Sequence, residues 1–259
     1  MKKIVIFSLA IVSVLATAVK ISAEEPAMLR DGFAIAGVDG KVTYDKNADK
    51  WFVSFSTDVS DDKGRVGAGS KLEILPSVAL EKIQANIEKR PGDDYRLWAR
   101  VARYEGKNYV YGIYFLPITE VAPITGAQSA KVSINEPNDP LALPDEVVAK
   151  LKTKKIIHPE ELEQGVELKD DSILADRIGF IKQAKAGGAM FVIDGVGRSR
   201  GRVSLELLPC EVLEQALAKQ AKASDTPRVK VAGIVTRYEG QYYLLLQRAA
   251  PVYSHGNFE

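Results

Sequence analysis

Apolar and polar residues alternate in short runs along most of the chain, and a stretch with helical spacing interrupts each set of runs. Gly40 to Tyr44 alternates, Asp45 to Lys50 is polar with Asn47 and Asp49 as turn formers, and Trp51 to Phe55 alternates again. That pattern predicts two paired strands. Asp58 to Ser70, rich in Gly, Asp and Ser, predicts a loop, and Leu72 to Leu75 a third strand. Pro76 is suited to the first turn of a helix, where its missing N–H goes unneeded. Val78, Ala79, Leu80, Ile83 and Ile87 then supply the apolar stripe of that helix, which Arg90-Pro91-Gly92-Asp93 stops. Leu97, Ala99 and Val101 alternate with Arg96, Trp98 and Arg100 and predict a half-buried strand with the second set facing outward. Glu105-Gly106 resembles the Asp-Gly hairpin signal, and Asn108 to Phe115 returns as a fifth strand.

The same order recurs. Leu72-Glu73-Ile74-Leu75-Pro76 returns as Leu205-Glu206-Leu207-Leu208-Pro209, and Arg103-Tyr104-Glu105-Gly106 as Arg237-Tyr238-Glu239-Gly240. The distance between the two motifs differs by one residue between the copies, which marks a duplicated module. In the second copy Ile178 to Gln183 and Met190 to Ile193 predict the first hairpin, and Leu205 to Leu208 the third strand. Val212, Leu213, Ala216, Leu217 and Gln220 mark the helix. Val229, Val231, Gly233 and Val235 line one face of the next strand, and Tyr242 to Arg248 forms the last. Leu97, Ala99 and Val101 correspond to Val231, Gly233 and Val235, so both copies are expected to bury the same face.

Three strands, a helix and two strands, with the helix between strands three and four, is the order of the OB-fold, a five-stranded Greek-key barrel. The expected fold is mainly β, with one helix in each of two tandem OB-fold-like five-stranded barrels; a small α+β sandwich is the alternative. The expected boundaries are 32–120 for the first module, 121–171 for a connector, 172–254 for the second module and 255–259 for a tail. Pro123, Pro137, Pro140, Pro144 and Pro159 interrupt the connector, with short helices predicted at Pro144 to Leu151 and Pro159 to Gln164. Each module carries its own apolar faces and is expected to fold alone. The repeated Leu-Glu-x-Leu-Pro and Arg-Tyr-Glu-Gly motifs resemble secreted tandem OB-fold-like proteins of planctomycete-type bacteria. That resemblance covers most of the chain after its first residues and implies fold and export, but brings no activity and no site residue.

The first 23 residues change the picture of where the modules work. Lys2 and Lys3 precede an apolar run from Ile4 to Val19, and Ile21-Ser22-Ala23 offers a small residue for cleavage before Glu24. This is the order of a secretory signal peptide cleaved after Ala23, and the apolar run is short for a membrane span. The chain is therefore expected to be soluble and periplasmic or secreted. Charge is balanced, 35 Lys+Arg against 34 Asp+Glu, and loss of Lys2, Lys3 and Lys20 with the leader leaves the remainder slightly acidic. That argues against nucleic acid as the partner, since such binders carry a marked positive excess. Cys210 is the single cysteine, so no internal disulfide forms, and it is expected to be a buried structural thiol.

Candidate chemistry is sparse. His158 and His255 sit in no motif with a nucleophile, and there is no Gly-x-Ser-x-Gly elbow. The acid pairs Asp61-Asp62, Asp93-Asp94, Glu160-Glu161 and Asp170-Asp171 read as solvated turn residues. Asp58 to Gly64 comes closest to a calcium loop but lacks its terminal Glu, so no metal site is expected. No phosphate-binding Gly loop and no cofactor motif is present. Two features suggest binding. Arg198, Arg200 and Arg202 stand in a glycine-bounded loop before strand three of the second module, and guanidinium forks suit carboxylates or phosphates. Arg96, Trp98 and Arg100 form the outward stripe, an exposed indole between two cations that suits stacking on sugars, bases or side chains. A solvated loop in the first case and packing under the connector in the second are the bland alternatives.

These features favour a secreted, non-catalytic binding or scaffold protein that recognises a protein or envelope component. An envelope-polymer hydrolase using loop carboxylates is the alternative from another class, and a binder of oligosaccharide or oligonucleotide along a barrel face is the third. A cavity with converging acids would favour the hydrolase, and a continuous basic and aromatic groove the third reading.

Overall fold

The computed structural model describes residues 28–90, 92–118, 154–183, 188–194, 203–223 and 226–252. Ala23, the predicted helix at Pro144 to Leu151, Arg198, Arg200, Arg202 and His255 lie outside the described residues.

In the first module β1 (Ala34–Asp45) and β2 (Lys50–Phe55) form the predicted hairpin. The loop that follows carries a two-residue ladder of its own, β3 (Val59–Ser60) with β4 (Arg65–Val66). Then come β5 (Lys71–Ile74), α1 (Val78–Lys89), β6 (Asp94–Tyr104) and β7 (Lys107–Pro117). A short α2 (Pro159–Glu163) stands in the connector, where the sequence predicts one. The second module repeats the order with β8 (Ser172–Gln183), β9 (Ala189–Ile193), β10 (Ser204–Leu207), α3 (Glu211–Gln220), β11 (Val229–Tyr238) and β12 (Gln241–Pro251).

Each set closes into a five-stranded barrel, in the orders β1-β2-β5-β7-β6 and β10-β12-β11-β8-β9. The third and fifth strands of each barrel run parallel, through Glu73↔Tyr109 and Glu206↔Tyr243, and all other neighbours are antiparallel. Parallel closure between strands three and five is the OB-fold connection; it removes both sheet edges and excludes the sandwich alternative. The protein is thus mainly β, with two tandem OB-fold barrels.

Local chemistry fixes the elements. Helix α1 starts one residue later than Pro76 suggests: Ser77 is its N-cap, accepting the Leu80 N–H at 3.1 Å, and Pro76 lies outside the first turn. The side-chain oxygen satisfies an orphan donor that proline could not reach. At the repeated hairpins both central residues have positive φ, Glu105 (46°) with Gly106 (72°) and Glu239 (49°) with Gly240 (79°). That is the type I′ turn whose twist matches the flanking strands.

The two barrel cores meet at a shared seam. Leu75, Ala102 and Tyr111 of the first barrel belong to the buried cluster centred on the second, while Tyr238 of the second packs against the core of the first. Helix α1 leans on β11 and α3 on β6. The contacts are reciprocal. Glu214 of α3 accepts the Glu105 N–H at 3.0 Å, and its counterpart Glu81 of α1 accepts the N–H of Glu239. Tyr104 packs on the second core and Tyr238 on the first, where its hydroxyl takes a hydrogen bond from Gln84 at 2.7 Å. This is an isologous, two-fold-like interface within one chain. Each module leaves apolar surface at this seam that the other covers. The interface also gives Arg-Tyr-Glu-Gly its role, since the motif is the docking hairpin of both copies.

The seam is locked on one side by a buried polar cluster. Thr236, fully buried, accepts the Val78 N–H at 2.9 Å and donates to Asp171 at 2.8 Å, joining β11, α1 and the end of the connector. Lys154 approaches Asp171 at 3.6 Å, and burial pushes its amine pKa down. Tyr111 is fully buried beside Thr236 and Asp171, and desolvation pushes its phenol well above the usual value.

Candidate functional site

The candidates of the first module are each taken up by the fold. Arg96 forms a fork on Asp39, with Nε at 2.7 Å and Nη2 at 3.0 Å, which holds the Asp39 carboxyl below its usual range. Trp98 corrects the expectation of an exposed indole: it is only 7% exposed. Its ring packs over Gly37 and against Tyr114, with centroids 5.5 Å apart. A Cβ at Gly37 would lie 3.1 Å from the indole, so the glycine makes room for the ring at a bulge in β1. Arg100 is half-buried on the same outer face, at the seam between the barrels. The three residues share one strand but do not present a common stacking surface.

The acids are also engaged. Asp61 is 3% exposed rather than solvated, which corrects that expectation. It accepts from the Arg30 N–H (2.7 Å) and Nε (2.9 Å) and from the N–H groups of Lys63 (3.1 Å) and Gly64 (2.6 Å). These donors, the Arg30 N–H foremost, hold its carboxyl well below the ordinary range. Asp93 pairs with Lys41, Asp170 with Lys82 and Asp171 with Thr236. Among the described residues no group of three His, Cys, Asp or Glu is placed to hold a metal ion. Cys210 is buried at the N-cap of α3, and burial pushes its thiol up to about 11. It is therefore a poor nucleophile at neutral pH. His158 is exposed and sits at the start of α2, with Arg177 3.1 Å from Nδ1.

The surface that stands out is the outer face of the second barrel, and the first barrel serves as its control. Register makes the comparison residue by residue. The row Thr43-Phe52-Glu73-Tyr109 of the first barrel corresponds to Lys182-Met190-Glu206-Tyr243 of the second. One row further on, Lys41 and Asp94 form an ion pair at 3.6 Å; at the matching positions Phe180 lies under Arg228, whose guanidinium is 5.9 Å from the ring centroid. The Asp39–Arg96 pair is matched by Ile178 opposite Lys230, and Ser54 by Val192. Lys182 also approaches the Phe180 ring, at 6.0 Å.

The first barrel thus neutralises its own outer charges, while the second replaces them with an apolar strip flanked by cations. Ile178 is 39% exposed, and Phe180, Met190 and Val192 are half-buried beside it. Arg228 and Lys230 have Asp194 (3.0 Å) and Asp176 (3.7 Å) as partners, but among the described residues Lys182 has no carboxylate. Cations over an aromatic face, with bare apolar neighbours, suit a ligand that brings negative charge and apolar surface together. Arg198, Arg200 and Arg202 lie outside the described residues, in the sequence between β9 and β10. Sequence reading missed Ile178, Phe180 and Lys182 because a strand on its own does not say which face stays uncovered. The available signal was divergence between the copies at matched outward positions.

No protein-family model matches the chain, and no curated protein does. Among solved structures it is similar to the single-stranded DNA binding protein from Thermus aquaticus. The wild-type structure is 12% identical over 89% of this chain and 96% of that chain, with a TM-score of 0.22. A deletion mutant of the same protein is 11% identical over 90% of this chain and 98% of that chain, with a TM-score of 0.23. Superposition that loose transfers no function. The fold places the chain among tandem OB-fold proteins, and the second barrel carries its candidate binding face. No helix among the described residues is long and apolar enough to cross a membrane.

Proposed function

We propose that this is a non-catalytic binding protein, exported to the periplasm or beyond by a leader cleaved after Ala23. It grips an anionic protein or envelope component on the outer face of its second barrel. The observation that carries this reading is the replacement of the Lys41–Asp94 and Asp39–Arg96 pairs by Phe180–Arg228 and Ile178–Lys230 on the matched surface. Packing within the barrels does not require that change, because these side chains point away from both cores. Exposing apolar area beside cations has a solubility cost that a bound partner offsets. The first barrel then acts as scaffold, holding the second through the reciprocal hairpins.

The test is capture of a defined partner from envelope extract by the full mature chain, followed by titration of the purified partner. Phe180→Ala combined with Lys182→Ala and Arg228→Ala should abolish binding, whereas Lys41→Ala with Arg96→Ala should leave it intact. Equal loss in both variants, or in neither, sinks the assignment. The arrangement of Phe180 between two cations favours one second reading, stacking of a single-stranded nucleic acid base. Fluorescence anisotropy with a labelled oligothymidylate decides it: micromolar binding that weakens steeply with salt would replace the protein partner by nucleic acid.

A further inference from the structure

A groove of about 420 Å³ runs between the segment ahead of β1, strand β6, the start of α3 and strand β12. Ala102, Val212 and Leu245 give it apolar walls, and three polar side chains line it: Asp31, Arg100 and Gln247. Asp31 is fixed in place, its Oδ1 accepting the N–H of Arg103 at 2.8 Å and of Glu211 at 3.3 Å. No donor among the described residues reaches its Oδ2, so that oxygen remains available.

Among the described residues Arg100, like Arg177, has no carboxylate partner. Seven other described arginines hold a carboxylate each, from Arg30 on Asp61 to Arg248 on Asp176. Arg100, half-buried, forms no ion pair or hydrogen bond among the described residues, and its charge acts on the neighbouring Tyr111 and Lys154. Its counterpart in the second barrel is Ile234, which is 2% exposed, so the interface itself does not need a cation at this position. A partly desolvated guanidinium with no acceptor is unfavourable until an anion fills its fork.

We propose that this groove binds a small zwitterion of the amino-acid or dipeptide class, its carboxylate on the Arg100 fork and its ammonium on the free Oδ2 of Asp31. An unpaired cation and a half-satisfied carboxylate on one groove match the two opposite charges of such a molecule. The apolar walls between them accept a short side chain, and the Gln247 amide adds a donor and an acceptor at the rim. The volume lies within the range of about 300–1,000 Å³ that small-molecule sites occupy. Neither half of the charge pattern explains the other, since no Asp31–Arg100 ion pair forms.

The experiment titrates glycine, L-alanine and L-alanyl-L-alanine into the full mature chain by calorimetry, with thermal unfolding in parallel. Acetate and methylammonium serve as probes carrying one charge each. At least one zwitterion is expected to saturate below about 10 mM and to raise the unfolding temperature, as a ligand of the native state must. Both single-charge probes should bind at least tenfold more weakly. Arg100→Gln should weaken the zwitterion tenfold or more without lowering the unfolding temperature of the free protein. Arg100→Lys, which keeps the charge and loses the fork, serves if the first variant does not fold and should also weaken binding. The variant with Phe180, Lys182 and Arg228 changed to Ala should bind the zwitterion as the parent does, which separates this site from the barrel face. No saturation by about 10 mM, acetate as tight as alanine, or undiminished binding in the Arg100 variants each overturns the proposal.

Discussion

Thr236→Val is the sharpest test of how the barrels are joined. The substitution keeps shape and volume and removes one hydroxyl that is fully buried. That hydroxyl accepts the Val78 N–H at 2.9 Å, the first helical donor of α1, and donates to Asp171 at 2.8 Å. Replacing it leaves the Val78 N–H without a partner in a buried place, at a cost of about 1–3 kcal/mol. The lost bond to the carboxylate adds about 1 kcal/mol net, and the extra buried methyl offsets a fraction of this. The expected destabilisation is about 2–4 kcal/mol. Urea unfolding followed by far-UV circular dichroism and by tryptophan fluorescence measures it. Thr236→Ser keeps both bonds and should recover most of the loss. A cycle with Asp171→Asn should show coupling, because the two residues share one hydrogen bond. A Thr236→Val midpoint within error of the parent would mean that the hydroxyl is not the bridge and that the seam is held by apolar packing alone.

Separated fragments 28–118 and 172–252 are expected to show poor near-UV circular dichroism and broad amide spectra, and to regain native signals on mixing; sharp spectra from each alone would refute the shared core. Gly106→Val and Gly240→Val should each destabilise the protein by about 1–3 kcal/mol, because a β-branched residue resists the positive φ of these turns; unchanged urea midpoints would count against the type I′ assignment. The Asp61 carboxyl is held below its unfolded value of about 3.9, so its contribution is present above that pH and lost as pH falls through the folded value. The unfolding midpoint should therefore drop more steeply on acidification in the parent than in Asp61→Asn, and equal slopes would show that the Arg30 anchor is idle. Changing Arg198, Arg200 and Arg202 together to Ala should weaken capture of an anionic partner while leaving the unfolding temperature unchanged; full binding, or a lost fold, would remove these residues from the proposed site.

The order of strands and helices was legible because alternation at period two and the stripe at period 3.6 are local properties. The hairpin turns were legible from Glu-Gly for the same reason. Closure of the barrels needed one piece of non-local logic, the helix between strands three and four. What alternation misjudged was the outer face of β6. Arg96, Trp98 and Arg100 alternate with a buried set, and the strand's own pattern would leave them in water. A bulge at Gly37 and the ring of Tyr114 take Trp98 out of solvent, and the neighbouring barrel covers Ala102 on the same side. Burial of that face comes from residues far away in the chain, so no window on β6 could report it. Asp61 escaped notice in the same way, since its main partner, Arg30, lies 31 positions earlier.

Comparing the copies separates two kinds of selection on one fold. Leu-Glu-x-Leu-Pro and Arg-Tyr-Glu-Gly recur because the seam is two-fold-like: whatever docks a hairpin on one side must dock its twin on the other. Glu81 and Glu214 perform that task at matched positions of α1 and α3. Residues that the seam does not use are free to diverge, and they do so in a directed way. Thr43, Lys41 and Asp39 on one barrel stand against Lys182, Phe180 and Ile178 on the other, a change from self-neutralised polarity to apolar surface beside Lys182, which has no carboxylate among the described residues. Random drift on a solvated face would trade polar residues for other polar residues. Three outward positions on one strand becoming apolar or cationic together, beside Arg228 and Lys230, require a reason outside the barrel. The partner proposed above would supply it.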